Sequence, residues 1–315
     1  MASRVSRRNG LVGFALTTRS VEVGRRLRAW RLAAGLSAEA LGEKLNMSRA
    51  TVYRLEATGV ARLDTLARVA ALLDMPVETL LGVGVEYVPS AIAYFERLRQ
   101  VEEQSDQMFV AFGPLVYLLT SDAYDRALRE ALQAQARSRP NGKRLLGQID
   151  QLLEILAGRK ARYRARQPAI TNLLSLPELV RFARFGLATE EDDDQFRARQ
   201  RAMAKAELDS IAAMLEAPPI GVQIGVLFDE MPSTSFSVMR GAAATCVVVS
   251  PFRLGCGLNI WRGIATVSHD SPAIELHSHL ARDLWREAVG GHRAAEFIRT
   301  RLLPHRRSTG TLRAA

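Results

Sequence analysis

Lysine is nearly missing from this chain. Of its 43 basic residues only Lys44, Lys143, Lys160 and Lys205 are lysines, and the rest are arginines. With the many alanines, this suggests a GC-rich bacterial genome rather than selection for arginine chemistry. Cysteine is scarcer still, with Cys246 and Cys256 alone. Two thiols make neither a disulfide framework nor a zinc knuckle. Their contexts, TCVVVS and LGCGLN, are apolar or Gly-rich. They suit reduced thiols of a cytoplasmic protein, either quiet or acting as a redox-sensing pair. Long apolar runs are absent as well. MFVAFGPLVYLL at 108–119 falls short of the roughly 18–20 residues a membrane span needs, and it contains Gly and Pro. A secretory signal with a clear cleavage site is also missing.

Catalytic signatures are missing too. The five histidines are His269, His277, His279, His292 and His305. On a helix, His277 and His279 would not face each other, so they would not share a metal; on a strand they would. No Gly-rich phosphate loop is present: GVQIGVLF lacks both the lysine and the helix, and GCG at 255–257 reads as a turn. No Ser or Cys nucleophile has an identifiable base. The expectation is a protein with no catalysis, no cofactor and no metal.

What is present is length, apolar content and unevenly spread charge. The 315 residues suit two or three domains, and 48% hydrophobic residues suffice for real cores. The net charge of +10 divides as +6 over 1–85, +7 over 137–166 and +5 over 290–315, against −4 over each of 86–136 and 167–289. A basic face favours polyanions. Residues 1–20 read as a disordered basic arm, either idle or trailing along DNA.

The most informative stretch is 35–56, GLSAEALGEKLNMSRATVYRLE. Ser37 is a good N-cap and Glu39 lies in the first turn, where a carboxylate favours the helix dipole. Leu41 and Leu45 share one face. Asn46 tolerates the left-handed backbone that ends a helix. Ser48 caps a second helix whose buried face is centred on Val52 and Leu55. Its opposite face carries Ala50, Tyr53 and Arg54, flanked by Arg49 and Thr51, with no acid before Glu56. That composition suits phosphate contact and reading of base edges in a major groove.

The flanking segments complete a bundle. VGRRLRAWRLAAG places Val23, Leu27, Trp30 and Ala34 at helical spacing. RLDTLARVAALLDMPVETLL does the same with Leu63, Leu66, Ala70 and Leu73, and Pro76 opens a last short helix near Leu81. Through GLS at 35–37, the LGEKLNMSRATVYRLE run and LDTLARVAALLDMPVETLL, residues 21–83 resemble the helix-turn-helix domain of the Xre/Cro family of lambda-repressor relatives. The resemblance implies a five-helix DNA-binding bundle. It assigns Ser37, Ser48, Arg49, Ala50, Thr51, Tyr53 and Arg54 to DNA contact, and Val52, Leu55 and Glu56 to the bundle. One departure stands out. The family usually has Gln or Glu just after the cap of its second helix, where Gln touches the DNA backbone, and this chain has Ala38.

Beyond Gly82 the pattern changes. Residues 84–89 read as a linker, with room for one short strand, and 90–290 as a mixed α/β region. Helices are expected at 90–104, 121–136 with Ser121 as cap, from 149 to 166, at 176–187, at 195–217 and at 271–289. Strands are expected at 107–115, 222–228, 235–239, 245–252 and 263–269. The arginine-rich end of 149–166 reads either as a second contact with the DNA backbone or as a solvated face. TEEDDDQ (189–195) reads as an exposed helix start, and 291–315 as a basic tail. Residues 90–290 are faintly similar to the ligand-sensing halves of bacterial regulators, including phospholipase-D-like sensor domains. Active members of that superfamily use His-x-Lys pairs. None of the five histidines is followed two residues later by Lys, so the resemblance implies a module without that activity.

The fold class expected is multidomain: an N-terminal lambda-repressor-like bundle of five helices, then a mixed α/β domain. The function expected is a transcription regulator that places helix 48–56 in the major groove of double-stranded DNA. It would form a homodimer and sense a small-molecule effector through 90–290. The alternative is an antitoxin-like or other partner-binding protein, whose C-terminal region holds a protein instead.

Overall fold

The computed structural model describes residues 20–60, 62–111, 115–228 and 234–303. The basic arm, apart from Ser20, and the end of the tail lie outside the described residues. Five helices form the N-terminal bundle: α1 (20–33), α2 (Ala38–Leu45), α3 (Arg49–Thr58), α4 (Leu63–Leu72) and α5 (Val77–Leu81). Each contributes to one small core, in which Leu27, Leu41, Val52, Val69 and Leu80 are wholly buried.

The rest of the chain is built on one mixed sheet of seven strands: β1 (Val85–Val88), β2 (Gln107–Ala111), β3 (Ala169–Ser175), β4 (Val222–Leu227), β5 (Phe236–Arg240), β6 (Thr245–Val249) and β7 (Ala265–Ser268). The order is β1-β7-β6-β5-β2-β3-β4. Strands β2, β3 and β4 run parallel, and the other pairings are antiparallel. Helices α6 (Ala91–Glu103), α7 (Asp122–Arg137), α8 (Gly142–Arg166), α9 (Leu176–Phe185) and α10 (Asp194–Glu216) pack over one face. Helix α11 (Ser271–Glu287) covers the other face through Ala281 and Leu284. Strand residues alternate between these layers, as the pleat requires: Ile170, Leu174, Val222 and Val248 face the larger layer, and Leu173, Val238 and Val247 face α11.

The structure adds to or corrects the expectations from the sequence at three places. Residues 84–89, expected as a linker with room for one short strand, hold that strand at the sheet's edge, where Val85–Val88 pair with β7 from Val85↔Ser268 to Val88↔Ala265. The segment 291–303 is not tail. Helix α12 (Gly291–Phe297) and a π-helical turn, Ile298–Leu302, bury Ala294, Ala295 and Ile298 against the core. Residues 169–175, whose pattern marks no strand, form β3 at the centre of the parallel half. Asn172, with no exposed surface, pays its way there by bonding on both sides. Its Nδ2 donates to the Val110 carbonyl (3.1 Å), and its Oδ1 accepts from the Val116 amide (2.8 Å).

The bundle is fastened to the α/β part by buried charge. Glu86 of β1 accepts from Nε and Nη2 of Arg97 on α6 (2.8 and 3.1 Å) and from Nε of Arg26 on α1 (3.1 Å). All three side chains are at most 5% exposed. Around them, Gln100 Nε2 donates to the Arg25 carbonyl, Gln104 Nε2 donates to Glu22, and Arg28 of α1 pairs with Glu96 of α6 (3.1 Å). Burial alone would raise the Glu86 carboxyl, but the guanidinium charges of Arg97 and Arg26 outweigh it and hold it below its ordinary value of 4.5.

A carboxyl that titrates lower in the folded chain than in the unfolded one stabilises fully above the unfolded value. That stabilisation is lost as pH falls through the folded value. Unfolding by urea at stepped pH should therefore show stability falling from the ordinary carboxylate range downward. Glu86→Gln should lose about 3–5 kcal/mol at neutral pH, because it strands two buried guanidinium groups, and should show a shallower acid slope. A loss below about 1 kcal/mol would mean that the network adds little.

Candidate nucleic-acid interface

The exposed end of the bundle is the α2–turn–α3 unit. Ser37, exposed at the start of α2, accepts from the Ala40 amide (3.0 Å). Asn46 ends α2 in the left-handed conformation, with φ of 55°. The turn then closes tightly over Gly42. A Cβ added there would lie 2.6 Å from the Met47 carbonyl oxygen, closer than real Cβ atoms approach. Ser48 caps α3, its Oγ accepting from the Thr51 amide (3.1 Å) and lying 2.9 Å from Thr51 Oγ1. Both hydroxyls are thus engaged in fixing the start of the helix. A helix start with outward amides is a natural seat for a phosphate.

The outward face of α3 carries Arg49, Ala50, Tyr53 and Arg54, all exposed, with Thr51 half-buried beside them. Arg49 leans along the helix. Its Nη2 donates to the Tyr53 hydroxyl (3.2 Å), and its guanidinium lies 5.3 Å from the ring centroid. The hydrogen bond to Tyr53 raises the Arg49 pKa further. Among the described residues, the Arg54 side chain has no ion pair or hydrogen bond.

The inward face holds Val52, wholly buried, Leu55, half-buried, and Glu56. Glu56 is drawn into the bundle by Arg31, whose Nε and Nη2 donate to the two carboxylate oxygens (2.5 and 3.2 Å). Arg28 approaches the same carboxylate at 3.6 Å. The helix therefore shows a possible polyanion two guanidinium groups and no carboxylate of its own.

Several supporting residues escaped the sequence reading. Gly42 closes the turn, and Gly24 lets α1 touch the end of α3, since a Cβ there would lie 2.4 Å from the Leu55 carbonyl oxygen. A glycine inside each helical pattern was the available signal. Arg68 of α4 donates to the Leu45 carbonyl (2.6 Å) and ties the end of α2 down. Nothing in the local pattern marked Arg31 as the partner of Glu56.

The segment read as a second DNA contact keeps its cations paired with acids of the chain. The basic end of α8 is ion-paired along its length. Arg159 pairs with Glu102, Lys160 with Asp125, Arg162 with Glu103, Arg164 with Asp122, and Arg166 with Asp106. Arg159 and Lys160 are buried, whereas Arg162, Arg164 and Arg166 are exposed, so the far end of α8 is a solvated face whose arginines are ion-paired. The histidine pair lies on α11, where His277 Nδ1 is bonded to the Ala273 carbonyl of the preceding turn (2.8 Å). Cys246 and Cys256 are free and buried, and burial pushes each thiol up to about 12. A protonated, buried thiol is a poor redox sensor.

Gly42→Ala tests the turn. Overpacking should cost about 1–3 kcal/mol and lower the thermal midpoint. Gly147→Ala, where an added Cβ meets nothing within 4 Å, should leave the midpoint unchanged or raise it. Equal behaviour of the two variants would remove the close contact from the explanation.

Comparison with known proteins agrees with this geometry. A family model described as a helix-turn-helix domain matches residues 22–81. No curated protein matches the chain. Residues 22–81 are a helix-turn-helix segment of the DNA-binding type.

Proposed function

We propose that this protein is a sequence-specific transcription regulator of the Xre/Cro kind, acting in a bacterial cytoplasm and associated with the nucleoid when bound. Helix α3 enters the major groove of double-stranded DNA. Arg54 and Arg49 supply most of the polar contact, and Tyr53, Thr51 and Ala50 read base edges. Ser37 and Ser48, at the starts of α2 and α3, position the phosphate backbone. The observation that carries this reading is the acid-free outer face of α3, with Glu56 withdrawn onto Arg31. Ala38 removes one backbone contact, which leaves more of the affinity to the arginines.

The α/β region is the sensing and dimerisation part of this proposal. Its single mixed sheet, with helices on both faces, suits a phospholipase-D-like sensor module. A homodimer would set two α3 helices about one DNA turn, roughly 34 Å, apart. A partner-binding, antitoxin-like reading draws on one observation: Leu276 and Leu280, four apart on α11, are both exposed.

Immunoprecipitation of the tagged protein from its own cells, with sequencing of the bound DNA, tests the proposal. A few sharp sites sharing an inverted repeat are expected. Diffuse or absent enrichment would overturn it and put the partner-binding reading first. On such a site, Arg54→Ala should weaken binding by about 1–3 kcal/mol and relax specificity at one position. Unchanged affinity in a fluorescence-anisotropy titration would take Arg54 out of the interface.

A further inference from the structure

A cavity of about 130 Å³ opens at the end of the sheet where parallel strand β2 finishes, β5 begins and β6 ends. The edge at the carboxyl ends of parallel strands, where connections diverge to either side, is where open α/β sheets hold ligands. This volume is close to the roughly 150 Å³ apolar cavity that accepts a benzene ring.

Its walls are distinctive for this chain. Aromatic residues make up 6% of the sequence, yet Tyr94, Phe95, Tyr117, Tyr124 and Phe252 gather around this one space, and β5 borders it beside Phe236, whose ring packs on Phe109 and His277 on the α11 side of the sheet. Tyr94 packs edge-on to Phe95 (4.8 Å) and tilts over Phe252 (5.6 Å). Two cations also reach the lining, and both are neutralised. Arg159 donates to Glu102 (2.8 and 2.7 Å), and Arg253 donates to Glu178 (2.7 Å). The cavity therefore has no spare charge with which to hold an ion.

What it does have is unused donors. Ser235 and Ser237 line it, and among the described residues neither hydroxyl is hydrogen-bonded. Buried Arg159 also leaves Nη1 without a partner. Ser250 and Tyr94 are less available, because Ser250 bonds both the Phe252 amide and the Tyr94 hydroxyl.

The cavity is wired to the DNA-binding bundle by α6. Tyr94, Phe95, Leu98 and Glu102 form one face of this helix and line the cavity. Glu96, Arg97 and Gln100 lie on the opposite face and hold α1 through Arg28, Glu22 and the Arg25 carbonyl. Arg28 in turn contacts Glu56, the acid at the end of α3. A shift of α6 toward or away from a ligand thus reaches the recognition helix through two ion pairs.

We propose that this aromatic box binds a small, uncharged aromatic molecule carrying one oxygen acceptor, such as an aryl ketone, and that α6 passes its occupancy to α3. The inference deepens the regulator reading by naming the effector's chemical class, and it rests on that reading only for the effect on DNA.

The test uses the full chain with three probes: acetophenone, ethylbenzene and benzoate. Binding is followed by NMR of the aromatic side chains and by thermal shift. Acetophenone should perturb the Tyr94, Tyr117 and Phe252 signals. It should bind about fivefold more tightly than ethylbenzene, the effect of one added neutral hydrogen bond. Benzoate, which brings an unpaired charge, should not bind. Ser237→Leu, which fills the cavity, should abolish acetophenone binding while the thermal midpoint shows the chain still folded.

Absent binding, or equal binding to Ser237→Leu, would overturn the site. Preferred binding of benzoate would overturn the ligand class. For coupling, saturating acetophenone should change the affinity for a cognate duplex at least about fivefold, and Arg28→Met should shrink that change. Probe binding without any effect on DNA affinity would overturn the role of α6. DNA binding measured without probe reports on the proposed function alone, so failure there leaves the cavity result standing.

Discussion

A carboxylate shut away from water, Glu86, lies between the guanidinium groups of Arg26 and Arg97, and the arrangement of the whole molecule follows from it. None of the three can be buried alone at tolerable cost, so the strand, the first helix of the bundle and α6 must meet in one geometry. Apolar contact would tolerate sliding between the two parts, whereas a donor–acceptor set with fixed directions does not. The position of α3 relative to the sheet is thereby set by chemistry that lies away from its exposed face.

The distribution of charge along the chain misleads when it is read as a map of the surface. The segment 137–166 is strongly basic and 86–136 is acidic, and the fold lays them against each other. Helix α8 answers Glu102, Glu103 and Asp106 at the end of α6, and Asp122 and Asp125 at the start of α7. On the bundle, α3 keeps Arg49 and Arg54 exposed on one face. The useful quantity there is the pair of arginines on α3 with no carboxylate beside them, and it is smaller and more specific than the net charge of +10.

Much of the bundle was legible because its determinants are local. Ser37, Asn46 and Ser48 cap within three or four residues of themselves, and Leu41, Leu45 and Val52 announce their faces by spacing alone. The sheet was less legible because strand pairing is a property of distant partners. Strand β3, AITNLLS, hides its period behind Thr171 and Asn172, and Asn172 belongs in the interior only because Val110 and Val116 supply its partners. Strand β1 reads as a connector with room for a short strand, and its place in the sheet is hidden because its pairing residues, 265–268, lie at the far end of the chain. The outward face of α3 could be drawn from a helical wheel. The aromatic cavity could not, since its rings are gathered from α6, the turn at Tyr117–Leu119, α7 and the segment after β6.

The ring of contacts around Arg26, Arg28 and Glu22 also bears on how this protein can be divided. A helix-turn-helix bundle is commonly pictured as an interchangeable head that evolution, or an engineer, can move from one body to another. Here the first helix has spent its inner charges on β1 and α6. A chain cut after Leu81 would keep every helix of the bundle, yet it would expose Arg26 to solvent without Glu86 and Arg28 without Glu96. Head and body are therefore a matched pair, and a chimera that keeps one must inherit the other's acids with it.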